Sequence, residues 1–109
     1  MTHPSIVQPS GCARYSPDKM GKATIFESPR LLVGLNAFEP GQQHALHAHA
    51  GQDKVYYVLE GSGRFLLEGR ELEMKAGELL VAPEGVPHGV HNTGSERLLV
   101  LAVLAPSPR

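Results

Sequence analysis

Two stretches of the sequence decide the fold: residues 41–61 read GQQHALHAHAGQDKVYYVLEG, and residues 77–92 read GELLVAPEGVPHGVHN. In the first stretch, the β-branched and aromatic residues of 54–59 predict a strand that ends at a glycine. In the second stretch, the apolar run 79–82 ends at the segment 83–87, whose proline and glycine residues favour a rigid turn. Short apolar strands bounded by such turns are typical of an all-β domain.

The same alternation continues outside these two stretches. Strands are also predicted over residues 23–27, 30–38, 43–48, 64–68, 71–74, 88–92 and 97–104. The chain of 109 residues contains 12 Gly and 9 Pro, and no segment free of both is longer than Ser95–Ala105, which excludes a helical bundle. Eight or nine short strands in a chain of this length predict one sandwich or closed barrel. Gly34, inside an apolar strand, predicts a bulge or a close approach of two backbones.

Charge and composition exclude several function classes. Ten basic and eleven acidic residues give a net charge of -1, which argues against a nucleic-acid partner and against a polybasic membrane anchor. No apolar run is long enough to predict a membrane-spanning helix. Cys12 is the single cysteine, so no intrachain disulfide forms. With no secretory pattern at the start of the sequence, these features predict a cytoplasmic protein.

Histidine spacing suggests a metal site. His47 and His49 are two residues apart, so on a strand both side chains point to one face, with Cβ atoms roughly 6–7 Å apart. His88 is the best candidate for a third ligand, because the proline and glycine residues before it fix its backbone. A pair with this spacing is also, and more commonly, a partly exposed polar pair. His44 and His91 each lie three residues from a candidate ligand, which places them on the opposite face of a regular strand.

The two stretches resemble the two sequence motifs of the cupin family. The first motif is matched by Gly41, His47, His49 and Gly61, and the second by Gly77, Pro83, Gly85, His88 and Asn92. Segment 62–76 between them is close in length to the spacer of small bacterial cupins. The resemblance covers residues 41–92 directly and implies a jelly-roll barrel, also called a double-stranded β-helix. We therefore expect an extended arm over residues 1–22, one barrel domain over 23–105 and a tail over 106–109.

The resemblance also implies a site and an assembly. His47, His49 and His88 would bind one divalent metal inside the barrel, the glycine and proline residues of the motifs would form turns, and Asn92 would be a structural turn residue. Small cupins are commonly homodimers, and here the N-terminal arm and the apolar run 97–104 are the segments that could form the dimer interface.

One position departs from the family pattern. The acidic ligand of the first motif falls on Lys54, whose ammonium cannot coordinate a metal ion. Three alternatives remain. Gln52 or Asp53 could supply an oxygen ligand if their loop folds inward, water could complete a site of three histidines, or metal binding could be lost. In the last case Lys54 would face an anionic ligand inside the cavity. Strand parity places Lys54 and Tyr56 on one face, lining the cavity, with Tyr56 expected to be a core aromatic whose hydroxyl is hydrogen-bonded.

These observations lead to two hypotheses about function. Three neutral imidazoles favour Fe, Mn, Ni, Cu or Zn over Ca or Mg, and they leave coordination positions open for a small oxygenated molecule. The chain would then be a small metal-binding cupin and, if it is an enzyme, a metal-dependent oxygenase, isomerase or lyase whose catalytic residues the sequence does not identify. The alternative is a non-catalytic module that binds or senses an anion through Lys54, with weak metal binding or none.

Overall fold

Residues 5–108, the part of the chain that the structure describes, form nine strands and one short 3-10 helix. A computed structural model describes residues 5–108; residues 1–4, the start of the expected arm, and Arg109 of the expected tail lie outside the described residues. The 3-10 helix spans Pro9–Cys12, and the strands are β1 Gly21–Ser28, β2 Leu31–Phe38, β3 Gln43–His47, β4 Asp53–Glu60, β5 Ser62–Leu67, β6 Arg70–Lys75, β7 Leu79–Ala82, β8 His88–His91 and β9 Leu98–Ala105. No helix in this described part is long and apolar enough to span a membrane.

The strands form two antiparallel sheets that pack face to face. One sheet has the order β1-β2-β9-β4-β7, and the other has the order β3-β8-β5-β6. Tyr56, Phe65 and Leu98 are among the fully buried side chains that fill the space between the sheets. This arrangement confirms the predicted all-β fold, a jelly-roll barrel of the double-stranded β-helix type.

The apolar run near the end of the chain forms the central strand of the larger sheet. β9 pairs with β2 on one side and with β4 on the other, and most of its residues are buried. Cys12, Ala13 and Tyr15 of the N-terminal segment pack against a second apolar cluster around Leu35 and Leu99. This segment therefore covers part of its own barrel.

Two glycines occupy places that a larger residue would disturb. Gly61 ends β4 with a φ of 82°, in the left-handed region, and a Cβ at this position would collide with the carbonyl oxygen of Arg97. A Cβ on Gly34 would lie 2.9 Å from the carbonyl oxygen of Ala23, opposite a register shift in β1. The close approach predicted from Gly34 is therefore confirmed.

Asn92 fixes the turn that joins β8 to β9. Its side chain is fully buried, and its amide nitrogen donates hydrogen bonds to the carbonyl oxygens of Phe38 and Glu96 at 3.1 and 2.9 Å. Its amide oxygen accepts a hydrogen bond from the backbone nitrogen of Gly94 at 3.1 Å. Asn92 is thus the structural turn residue that the resemblance implies, and it ties the end of β2 to the end of β8.

Candidate metal centre

Three histidines meet where β3 and β8 come together. His47, the last residue of β3, pairs directly with His88, the first residue of β8, and their ring centroids are 4.4 Å apart. The ring of His49 lies 4.8 Å from that of His47 and 5.7 Å from that of His88. The ligand atoms of the three side chains all lie within 4.8 Å of one another. The sequence prediction that these three imidazoles meet is confirmed.

Backbone hydrogen bonds orient two of the rings. Nδ1 of His47 lies 2.7 Å from the carbonyl oxygen of Ala45, and Nδ1 of His88 lies 2.9 Å from that of Val86. Because a carbonyl only accepts hydrogen bonds, each Nδ1 carries the proton and each Nε2 keeps a free lone pair. Both Nε2 atoms are buried, and neither has a hydrogen-bond partner within residues 5–108. Two unpaired buried acceptors beside a third imidazole fit a bound metal ion.

A bulge in β3 brings a fourth histidine to the site. His44 pairs with Val90 and His47 pairs with His88, so the segment of β3 between them has one residue more than its partner segment in β8. The bulge reverses the alternation of side chains, and the ring of His44 packs 4.1 Å from that of His47. The prediction that His44 lies on the opposite face is therefore wrong, because it assumed a regular strand.

Gly89 makes room for this bulge. A Cβ at position 89 would lie 2.7 Å from the carbonyl oxygen of His44 and 3.0 Å from the backbone nitrogen of Leu46. Only glycine therefore fits beside the bulged backbone without displacing it. Sequence reasoning missed this role, although a glycine directly after a candidate ligand within a predicted strand is a signal of a close backbone approach.

A group of hydrogen bonds between two loops, here called the loop clasp, holds His49. The strand predicted to end at residue 48 ends at His47, so the pleat of β3 does not position His49. Instead, the backbone nitrogen of Gly85 donates a hydrogen bond to the carbonyl oxygen of His49 at 2.9 Å. The carboxylate of Glu84 accepts one from the backbone nitrogen of Gly51 at 2.6 Å, and the carboxylate of Asp53 accepts one from the backbone nitrogen of Glu84 at 2.9 Å.

Gln52 and Asp53, the suggested oxygen ligands, have other partners in this structure. The carboxylate of Asp53 is part of the loop clasp, and the amide nitrogen of Gln52 donates a hydrogen bond to the carbonyl oxygen of Pro106 at 3.3 Å. The group of close ligand atoms found among residues 5–108 contains the three histidines without Asp53. Sequence reasoning also missed Glu84, whose side chain supports the loop from outside the site.

Lys54 is a buried cation. Its side chain shares one face of β4 with Tyr56 and Val58, as strand parity predicts, and it is only 5% exposed. Its Nζ lies 4.6 Å from the centroid of the Tyr56 ring. Burial, followed by the nearby charge of Lys22, lowers the pKa of Lys54 to about 8. None of the ion pairs among the described residues involves Lys54.

Lys54 also acts on the histidines electrostatically. Burial is the largest cause of the lowered pKa values of His47, His49 and His88, and the charge of Lys54 lowers each of them further. Burial, followed by the charges of His47 and Lys54, lowers the pKa of His44 to about 3. The rings are therefore neutral at pH 7, which is the form that binds metal ions.

A cavity of about 220 Å³ is bounded by residues of both sheets, and His44 and His49 are the histidines that line it. Its polar lining also includes Lys54, Asn36, Thr24 and Lys22, and its apolar lining includes Leu32, Ala102 and Leu104. This volume is smaller than the roughly 300–1,000 Å³ of pockets for drug-sized ligands. The cavity is therefore suited to a small molecule that carries polar groups.

Tyr56 lies in the core between this site and the rest of the barrel. Its ring centroid is 5.7 Å from that of His88 and 5.6 Å from that of Phe65. Its hydroxyl is buried, and the hydrogen-bond partner predicted for it is not found among residues 5–108. Burial raises the pKa of this hydroxyl, which therefore stays protonated and can act as a donor.

Comparisons with known protein sequences find close relatives. The family model described as a cupin domain matches residues 34–104. The chain is 33% identical over 85 residues to an oxalate-binding protein of Thermotoga maritima, a match that covers 78% of this chain and 69% of the relative.

Solved structures agree with the observed fold. The TT1209 protein of Thermus thermophilus is 42% identical with a TM-score of 0.88, and the match covers 93% of this chain and 96% of that one. A predicted oxalate decarboxylase of Thermotoga maritima is 25% identical with a TM-score of 0.80, and the match covers 94% of this chain and 99% of that one.

Proposed function

This chain belongs to the cupin family, and we propose that it holds one divalent transition metal on His47, His49 and His88 and presents it to a small oxygenated molecule. The observation that carries the proposal is the pair of buried Nε2 atoms, on His47 and His88, for which the described residues provide no hydrogen-bond partner. A buried acceptor without a partner is unfavourable unless a cation or a donor occupies the space in front of it.

The donor set favours certain metals. Neutral imidazole nitrogens suit Fe, Mn, Ni, Cu or Zn better than Ca or Mg, which prefer oxygen ligands. Hydrogen bonds from Nδ1 to the carbonyl oxygens of Ala45 and Val86 would keep two of the rings in the metal-binding orientation. A metal bound here would supply a Lewis acid with coordination positions open to a ligand.

The cavity indicates the kind of ligand. Its volume of about 220 Å³ is below the roughly 300–1,000 Å³ of pockets for drug-sized ligands, so the ligand has few non-hydrogen atoms. The relatives include an oxalate-binding protein and a predicted oxalate decarboxylase, which supports a small organic acid as the class of ligand. The proposed function is metal-dependent binding of such an acid, on which any chemistry would depend.

A second candidate function is supported by one residue. Lys54 is a buried cation, and none of the carboxylates in residues 5–108 forms an ion pair with it. A module that binds an anion through Lys54 without a metal would use this feature directly. This candidate predicts anion binding that does not change when the histidines are replaced.

Metal analysis separates the two candidates. The protein is stripped with a chelator, exposed in turn to Zn, Mn, Fe, Ni and Cu in a buffer that contains acetate, and analysed by mass spectrometry of the metal content. We expect about one metal ion per chain in the wild type. The same content is expected in His91→Ala, which removes the histidine at the other end of β8 from His88, and a large loss is expected in His47→Ala. A wild type without bound metal, in which acetate still binds and Lys54→Met abolishes that binding, would instead support the second candidate.

A further inference from the structure

We infer that the metal and a small carboxylate anion bind this site cooperatively, and that Lys54 makes metal binding depend on the anion. The inference rests on the proposed metal site and goes beyond it, because it assigns a regulating ligand to that site. It follows from the charges that meet around the three histidines.

The proposed metal site provides no negative charge. The three proposed ligands are neutral imidazoles, and no carboxylate belongs to the group of close ligand atoms in the described residues. A divalent ion here would therefore keep its full charge, with the ammonium of Lys54, on β4 of the opposite sheet, as a further positive charge. Burying several like charges without a counter-ion is strongly unfavourable. The bare metal should consequently bind weakly.

The ammonium of Lys54 lies close to the histidines. Lys54 is buried and lines the same cavity as His44 and His49, and its Nζ lies 4.6 Å from the centroid of the Tyr56 ring, which in turn lies 5.7 Å from that of His88. A buried positive charge at this place must oppose a second cation on the histidine nitrogens. No carboxylate within residues 5–108 lies within 4.0 Å of this ammonium to offset the effect.

The cavity has room for the missing negative charge. Lys54 and His49 line the same cavity, so an anion there is close to both the ammonium and the metal site. Lys22 and Asn36 add a second amine and an amide to its polar lining, and the apolar residues Leu32 and Leu104 suit the carbon atoms of an organic acid. A carboxylate matches this lining because it combines acceptor oxygens with a carbon skeleton.

Cooperativity then follows from linkage. A carboxylate in the cavity lowers the electrostatic cost of the metal, and the metal lowers the cost of the carboxylate by the same factor. Couplings between two sites are typically about 5–150-fold in affinity. We therefore expect the metal affinity of the wild type to rise at least about fivefold when the cavity anion is present.

The test measures zinc affinity by calorimetry at constant ionic strength, in chloride alone and with acetate, malonate or inorganic phosphate. Lys54→Met is the matched control, since methionine has a similar length without the charge. Complexation of zinc by the anions in solution is the same for both proteins and cancels in their comparison. Lys54→Glu supplies the missing negative charge covalently, and circular dichroism verifies that each variant is folded.

The expected result has three parts. Malonate or acetate tightens zinc binding at least about fivefold more in the wild type than in Lys54→Met, inorganic phosphate does so less, and Lys54→Glu binds zinc tightly in chloride alone. Equal effects of the carboxylates on the wild type and Lys54→Met would overturn the inference while leaving the metal site intact. A larger effect of phosphate would overturn the assignment to a carboxylate. Absence of zinc binding under every condition would overturn the proposed function and this inference together.

Discussion

The imidazoles of His44 and His47 pack against each other, with ring centroids 4.1 Å apart, although the two residues are three positions apart on one strand. One extra residue between them bulges out of β3, and Gly89 of β8 accommodates the bulged backbone. The site thus depends on a local irregularity that sets the direction of His47.

Replacing Gly89 tests the role of the bulge. In Gly89→Ala, the added methyl group would lie 2.7 Å from the carbonyl oxygen of His44 and must displace β3. We expect a loss of roughly 1–3 kcal/mol in the free energy of unfolding, the usual cost of overpacking, together with weaker metal binding. Urea denaturation and metal titration measure the two effects. Gly11→Ala is the control, since no atom lies within 4 Å of a Cβ there, and equal behaviour of both variants would contradict the role of Gly89.

Replacing Glu84 tests the loop clasp. Glu84→Ala removes the carboxylate that accepts a hydrogen bond from the backbone nitrogen of Gly51 at 2.6 Å, and this loosens the loop that carries His49. Because residues that orient metal ligands typically contribute about 10–100-fold to metal affinity, we expect a loss of at least about tenfold. Glu68→Ala changes another exposed glutamate, in the turn between β5 and β6, and should leave the affinity unchanged. If Glu84→Ala bound metal as tightly as Glu68→Ala, the clasp would have no role in positioning His49.

The buried charge of Lys54 predicts an unusual dependence of stability on pH. The pKa of Lys54 falls from its ordinary value of 10.5, which applies to the unfolded chain, to about 8 in the folded chain. Between pH 8 and pH 10.5 the unfolded chain therefore binds more protons than the folded chain. Stability is therefore reduced below pH 8 and recovers as the pH rises toward 10.5. Relative to Lys54→Met, the wild type should gain up to roughly 3 kcal/mol over this interval, at about 1.36 kcal/mol per pKa unit. Urea denaturation of both proteins at several pH values measures the gain, and a constant difference would show that Lys54 is not desolvated.

Metal binding should weaken in acid, at a pH set by burial. Burial, with the charge of Lys54 as a further cause, lowers the pKa values of His47, His49 and His88 below 6.5. Protons therefore begin to displace the metal only below about pH 6, which is a lower pH than for exposed imidazoles. Zinc titrations between pH 7.5 and 4.5 follow this competition. Affinity that stayed constant down to the acid end of the series would contradict ligation by histidine.

Much of the fold could be predicted because local sequence signals determine it. Glycines at the predicted turns adopt positive φ values, as at Gly61 and Gly77, and parity along β4 places Lys54 and Tyr56 on the same buried face. The pairing of strands that are distant in sequence, such as β9 between β2 and β4, has no local signal. It depends on the register in which the two sheets bury the most apolar surface.

The site could be predicted in part for the same reason. The spacing of His47 and His49, and the rigid segment before His88, identified three residues that meet in the structure. The position of His44 could not be predicted, because one extra residue in a strand reverses the side-chain alternation after it. The support that Glu84 and Asp53 give to the loop of His49 was also hidden, since it joins two loops through backbone groups whose partners the sequence does not specify.

The place of β3 in its sheet has a consequence for the whole barrel. Within the described residues β3 is an outer strand whose single partner is β8, and its register is interrupted at the bulge. An ion held jointly by His47 and His49 at the end of β3 and by His88 on β8 would cross-link the outer strand to the rest of its sheet. Metal binding would then stabilise the pairing of β3 with β8 as well as create a binding centre.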